Sequence, residues 1–338
     1  MKNQSHRILK IKRAFSVLII NFYVLPIFAQ WQLIDDFQQW SAGEEFVDAT
    51  DIGWNAVSDT GSDEYLLLDD PDDPLNVGLY VNPGDWGVSY ANTFVAKYLP
   101  DGGILPGTTG TIFFRNIWLG IDNNWCIGTS DQISPGSQWD FNVQYRLETK
   151  HHFEHRDGSS YVSTNPPLTP EVYEWYSFWI VVENSWDNST IPPTSTGTYK
   201  IYMQGPGIGD STHPTLIPVG TDPPKNAASL RRAPMEDDGT PRSMNRLVLH
   251  THGQPVPTSA TDFFILDDIY YSNGINLSNP LSYAGYQTDG LRDVNTGDWL
   301  GWLNVQQEPF VWSYNLDGWI YLVEPQDNVG GAWMYIFK

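Results

Sequence analysis

The sequence predicts an all-β protein, a large two-sheet antiparallel sandwich followed by a small C-terminal β-hairpin module. From residue 30 to about 280, short apolar runs rich in aromatic and β-branched residues alternate with Gly, Pro, Asn, Asp and Ser clusters, almost without helical periodicity. Several runs alternate apolar with polar residues at a period of two, the pattern of a half-buried strand. The segments 69–76 (DDPDDPLN), 100–107 (PDGGILPG) and 191–198 (IPPTSTGT) would break any helix.

In chain order, residues 1–29 read as a secretory leader. Lys2, Arg7, Lys10, Lys12 and Arg13 precede an apolar run from Ala14 to Ala29. That run is shorter than the roughly 20 residues a spanning helix needs. The expected mature chain is secreted or displayed at the cell surface, with no transmembrane span. Of the 18 Lys and Arg, five sit in this leader, so 13 remain against 40 Asp and Glu. A negative field of that size repels phosphate backbones and excludes nucleic acid as a partner. It also disfavours a polyanionic glycan, unless a local basic groove exists. Cys126 is the chain's single cysteine, so no internal disulfide is available and stability rests on burial. Its surroundings fit a small buried apolar residue.

Residues 31–37 (WQLIDDF) and 261–272 (TDFFILDDIYYS) each place an Asp-Asp pair inside a β-rich run. They are predicted to pair as neighbouring antiparallel strands that close the sandwich. In 139–148, Trp139, Phe141, Val143, Tyr145 and Leu147 should face the core, while Asp140, Asn142, Gln144, Arg146 and Glu148 face water. In 175–183, Tyr176, Phe178, Ile180 and Val182 share one face; Trp175, Ser177, Trp179 and Val181 share the other. In 198–204, Tyr199, Ile201 and Met203 point inward, and Lys200, Tyr202 and Gln204 outward. In 245–252, Leu247 and Leu249 oppose Arg246, Val248 and His250. The Pro- and Gly-rich stretch 205–241 should run as a long excursion over one sheet.

A polar linker, 282–297, leads to an aromatic-rich module, 298–338, in which Trp-x-Tyr occurs three times. Residues 310–314 and 318–323 are predicted to form a hairpin, with 332–337 as a third strand.

The opening LIDDF, the pair WYSFWIVVENS and GTYKIYMQG, and the closing FFILDDIYYSNGINLSNPL resemble the concanavalin A-like lectin/glucanase superfamily, which includes laminin-G-like domains. The resemblance spans about 30–281. It implies a jelly roll with adjacent terminal strands and a concave sheet face whose groove or rim binds glycan. The tail is similar to aromatic repeats at the ends of exported surface proteins.

A sugar offers an apolar ring face and many hydroxyls, so its site needs a flat aromatic together with hydrogen-bonding groups. Trp175 and Trp179 are the candidate platform. Asn142, Gln144, Arg146 and Glu148 are the candidate polar partners, joined by Lys200, Arg246 and His250 on wet strand faces. The expected function is a noncatalytic carbohydrate-binding or adhesion protein, with the tail available for attachment to a cell surface. Retaining hydrolysis needs two carboxylates about 5 Å apart, and the Glu-x-Asp-x-Glu string of the superfamily's glucanases is absent. The enzymatic alternative is a polysaccharide lyase. It would draw a base and carboxylate-neutralising groups from Gln144, Arg146, Lys200, Tyr202, Arg246 and His250, although the lyases' Arg-x-Glu-x-Arg and Gln-x-His strings are missing. A further alternative is a structural surface protein without a glycan partner. No cofactor or metal site is assigned. His250 and His252 share a strand face at a spacing that zinc sites use, and His151, His152 and His155 lie upstream, but a third ligand is not assignable. Calcium is the cation that Asp69, Asp70, Asp72 and Asp73, or Asp267 and Asp268, would suit.

Overall fold

The computed structural model describes residues 30–39, 54–58, 64–69, 77–82, 92–119, 125–135, 137–148, 152–209, 213–220, 222–252, 264–283, 286–287, 293–296, 301–307, 310–322 and 334–337. The leader, His151, Asp70, Asp72 and Asp73 lie outside these residues, as do the side chains of Asp69, Glu148 and His252. Apart from short 3-10 turns, the regular structure of the described residues is all β. Among them no helix is long and apolar enough to cross a membrane.

Two antiparallel sheets dominate. The first runs, edge to edge, through β15 (Thr215–Ile217), β14 (Thr198–Gln204), β11 (Trp175–Glu183), β6 (Thr109–Trp118), β18 (Phe264–Asn273), β4 (Val77–Asn82) and β3 (Glu64–Asp69). Two further strands join it, β1 (Trp31–Asp35) on β18 and β16 (Ala228–Ser229) on β14. The second runs through β10 (Ser160–Ser163), β9 (His152–Asp157), β8 (Val143–Glu148), β7 (Trp125–Ser130), β17 (Arg246–His252), β5 (Asn92–Tyr98) and β2 (Trp54–Ser58). β12 (Trp186–Asp187) and β13 (Thr194–Ser195) form a small separate hairpin, as do β19 (Ser282–Tyr283) and β20 (Tyr286–Gln287).

The expected terminal pairing is present. β1 lies antiparallel to β18, with Trp31 opposite Ser272 and Leu33 opposite Tyr270. β18 is long enough to seat two strands along one edge, β4 against Phe264–Leu266 and β1 beyond it. A bulge at Asp267 and Asp268 separates the two seats. There the register against β6 slips, and Asp268 adopts φ +52. Arg115 of β6 answers both acids, with Nε 2.5 Å from Asp268 and Nη2 3.1 Å from Asp267. Those carboxylates, weighed above as calcium ligands, are therefore part of an ion-pair cluster. Asp35, at the bulge in β1, accepts from Trp54 Nε1 at 2.6 Å and Lys97 Nζ at 2.7 Å. Both donors belong to the second sheet, so this buried carboxylate ties one layer to the other.

The core is aromatic. Phe114 stacks on Phe178 at 4.8 Å within the first sheet, and Trp125 of the second stacks on Phe264 of the first at 4.7 Å. Phe153 meets Trp118 edge-on at 5.2 Å across the layers. Tyr176, Phe178, Ile180 and Val182, then Tyr199, Ile201 and Met203, then Leu247 and Leu249 all enter this core, as alternation predicts. Fully burying each such side chain contributes about 1.5–3 kcal/mol.

The alternation expected for 139–148 fails in its first half. Gln138–Asp140 is a 3-10 turn capped by Ser137, whose Oγ accepts from the Trp139 amide at 3.1 Å. The turn breaks the period of two, so Trp139 is 64% exposed instead of buried. Phe141 is buried among Phe94, Ala96, Cys126 and Val248, on the side of the sheet away from the main core. From Val143 onward the inward half of the pattern holds, with Val143 and Tyr145 in the core. The outward half does not meet water as expected, because Gln144 points away from the core but is 0% exposed, covered by Arg231 of the excursion.

The excursion over 205–241 first extends the edge of the first sheet through β15 and β16. It then crosses to the second sheet, where the Arg231 amide donates to the Asn142 carbonyl at 2.8 Å and Asn142 Nδ2 to the Arg232 carbonyl at 3.2 Å. The C-terminal module is a five-stranded sheet of β21 (Asp293–Asn295), β22 (Trp302–Gln307), β23 (Phe310–Ser313), β24 (Gly318–Leu322) and β25 (Met334–Phe337). The three predicted strands are β23, β24 and β25, and two more precede them. One face buries Val294, Leu303, Val305, Val311 and Ile320, while Trp312 meets Trp319 edge-on at 5.3 Å.

Candidate functional site

The outer face of the second sheet, opposite the core, gathers the polar side chains. Register sets the lattice. Arg146 of β8 lies opposite Glu154 of β9 and Cys126 of β7, and Cys126 lies opposite His250 of β17. On β10, Tyr161 stands opposite Arg156. Residues two apart on a strand share a face, so Gln144 with Arg146 and Glu154 with Arg156 project from the same side.

The contacts concentrate on Tyr161. The Arg146 guanidinium carbon lies 3.3 Å from the centre of its ring, and that of Arg156 4.2 Å. Arg146 is also held by Glu154, through Nε at 2.7 Å and Nη2 at 2.6 Å. Arg231 reaches in from the excursion. Its Nη1 donates to Gln144 Oε1 at 2.6 Å, and its guanidinium lies 4.4 Å from the centre of the exposed Trp139 indole. Gln144 in turn contacts Cys126, Nε2 to Sγ 3.1 Å.

Burial governs the ionisation here. It pushes the Cys126 thiol up to about 11 and the Tyr161 hydroxyl up to about 12, so both are protonated at neutral pH. Arg231 is held below its ordinary value by burial first and by the Arg156 cation second. Neither Arg156 nor Arg231 has a carboxylate partner among the described residues.

The nine residues expected to bind a sugar do not form one site. Gln144 and Arg146 lie in the cluster. Asn142 is buried beside it and spends its amide on the Arg232 carbonyl. Glu148 ends the same strand. Arg246 and His250 are on the same sheet but buried: Arg246 sits over the Tyr98 ring at 2.9 Å, and His250 stacks on Phe94 at 4.0 Å. Trp175, Trp179 and Lys200 belong to the first sheet. Trp179 is 0% exposed, packed edge-on to Phe113 at 5.0 Å, with Nε1 donating to the Ser278 carbonyl. Trp175 is half-buried beside Arg115, and Lys200 sits 3.7 Å from Glu183. The proposed Trp platform therefore has no place beneath Gln144 and Arg146. Alternation tells which side of its own strand a residue faces, not which sheet that strand enters, and the chain changes sheet between β10 and β11.

Arg156, Tyr161, Arg231 and Trp139 are the cluster's residues that the sequence reading missed. Arg156 carried a signal, since HFEHRD alternates and puts Glu154 and Arg156 on one face. Arg231 carried none, because it lies in an irregular loop. The described histidines do not converge either. His155 points into the core with 0% exposure, while His152 lies 3.5 Å from Glu154. Among the described residues no three His, Cys, Asp or Glu are placed to hold a metal ion.

No family model and no curated protein matches this chain. Among solved structures it is similar to a sialidase, at 13% identity and TM-score 0.40, over 70% of this chain but 18% of that one. It is similar to lectin I-B4 from Griffonia simplicifolia in its metal-free form, at 10% identity and TM-score 0.37, over 73% of this chain and 100% of that one. It is also similar to an endo-1,3-beta-glucanase from Streptomyces sioyaensis, at 11% identity and TM-score 0.35, over 73% and 97% respectively.

Proposed function

We propose that this protein is an exported, noncatalytic carbohydrate-binding or adhesion protein, and that it engages its glycan on the outer face of the second sheet. The observation that carries the reading is the cluster of Gln144, Arg146, Arg156, Tyr161, Arg231 and Trp139. It combines aromatic rings with directional donors on a face turned away from the core, the two kinds of contact a sugar ring needs. Among the described side chains of that cluster the carboxylate is Glu154, and both Arg146 and His152 engage it. Double-displacement chemistry would need a second carboxylate at the same centre. In this proposal the Trp- and Tyr-bearing C-terminal module serves cell-surface attachment.

Retention on immobilised polysaccharides tests the reading. Tyr161→Ala and Arg146→Ala should elute early, whereas Trp175→Ala, on the other sheet, should be retained like the parent. Loss of retention in Trp175→Ala with Tyr161→Ala unchanged would move the site to the first sheet. A second reading, a polysaccharide lyase, is favoured by one observation, a tyrosine hydroxyl set among arginines that could neutralise a uronate. Burial opposes it by pushing that hydroxyl up to about 12, so little phenolate forms at neutral pH. Ultraviolet absorbance from unsaturated uronates, lost in Tyr161→Phe, would establish the lyase.

A further inference from the structure

Resting on that glycan-binding reading, we infer that the cluster contains a subsite for an acidic sugar, with Arg231 and Arg156 receiving a carboxylate of the uronate type. The inference starts from three buried donor atoms without a hydrogen-bond partner. Arg231 uses Nη1 on Gln144, but its Nε and Nη2 are buried without a hydrogen-bond partner. Those two N–H groups are the side-on edge of the guanidinium, the fork whose parallel bonds match the two oxygens of a planar carboxylate. Arg156, only 6% exposed, likewise has a buried Nε without a partner. Buried polar groups in native proteins are almost always hydrogen-bonded, so three orphaned donors on two adjacent cations point to an acceptor that carries negative charge.

The surroundings fit a sugar acid better than a small inorganic anion. The Trp139 indole, 64% exposed, lies over Arg231, and the Tyr161 ring lies under Arg146 and Arg156. Each offers a flat apolar surface next to the charge. Glu154, already bound to Arg146, leaves the positive excess on Arg156 and Arg231. Arg231 sits on a loop rather than a strand, so the fork can adjust to a bound oxygen pair without disturbing the sheet. An acidic protein that binds acidic sugars needs such a local reversal of sign.

Titration calorimetry of the purified protein tests this with four probes: uronate oligomers, the same oligomers with their carboxylates reduced to alcohols, a neutral β-glucan, and a sulfated polysaccharide. The uronate oligomers should bind at least tenfold more tightly than their reduced counterparts. Arg231→Lys keeps the charge but loses the fork, and should weaken uronate binding about tenfold with an unchanged melting temperature. Equal affinity for uronate and reduced oligomers would overturn the subsite and leave glycan binding standing. No binding to any probe, or to a wider glycan panel, would overturn both. Tighter binding of the sulfated polymer, undiminished in Arg231→Lys, would overturn the carboxylate assignment.

Discussion

His155 shows what one buried side chain does to the whole fold. It has 0% exposure, meets Tyr145 edge-on at 5.4 Å, and neither ring nitrogen has a hydrogen-bond partner. Burial lowers its pKa from 6.5 to about 4. The native state thus prefers the neutral ring, while the unfolded chain takes up a proton near 6.5. The stability this confers is complete above pH 6.5 and drains away as pH falls towards 4, amounting to roughly 3 kcal/mol. Urea midpoints measured at pH 7.5 and 4.5 should differ less in His155→Phe than in the parent; equal differences would show that other groups set the acid sensitivity. Asp35 is the second such residue. Asp35→Asn leaves Lys97 facing a neutral amide across the two layers and should cost roughly 2 to 4 kcal/mol in chemical denaturation.

At the scale of the strand, β11 presents two faces with different jobs. Phe178 stacks on Phe114 and touches Trp118, Tyr145 and Phe153, so it links both sheets. Phe178→Ala should cost about 3–5 kcal/mol, read from the shift in urea midpoint. Three positions along, Trp175 is half-buried on the opposite face, and its replacement by Ala should cost far less. This division was legible in the sequence, because a strand with one face in a core must repeat every second residue. The pairing of β1 with β18 was legible too, from two similar runs at the ends of one domain. The local breaks were not. The 3-10 turn at Gln138–Asp140 reverses the side to which Trp139 turns, and the bulge at Asp267 and Asp268 arises from pairing on both edges of β18, which no local pattern records. The candidate cluster was half legible for the same reason: Gln144 and Arg146 belong to a periodic strand, whereas Arg231 arrives through a loop and Tyr161 on a four-residue edge strand.

Across the whole molecule, a formal net charge of −22 surrounds a cluster whose unpaired charges are positive. The two fields act at different ranges. At 0.01 M ionic strength the Debye length is about 30 Å, and an approaching polyuronate feels the protein's overall repulsion; at 0.15 M it is about 8 Å, and that repulsion is largely screened. In the proposed subsite the donors of Arg156 and Arg231 are buried, so contacts made there should be weakened far less by salt. Association with acidic oligomers should therefore quicken, or at least hold steady, as salt rises over this range. A basic polyanion-binding protein shows the reverse, a steep fall. Surface plasmon resonance at several salt concentrations, with oligomers of fixed length, measures this directly. The association rate should rise while the dissociation rate changes little, and Arg231→Lys should raise the dissociation rate while leaving the salt trend of association intact. An association rate that falls steeply with salt would mean that a larger basic surface, not this small cluster within an acidic shell, steers the ligand in.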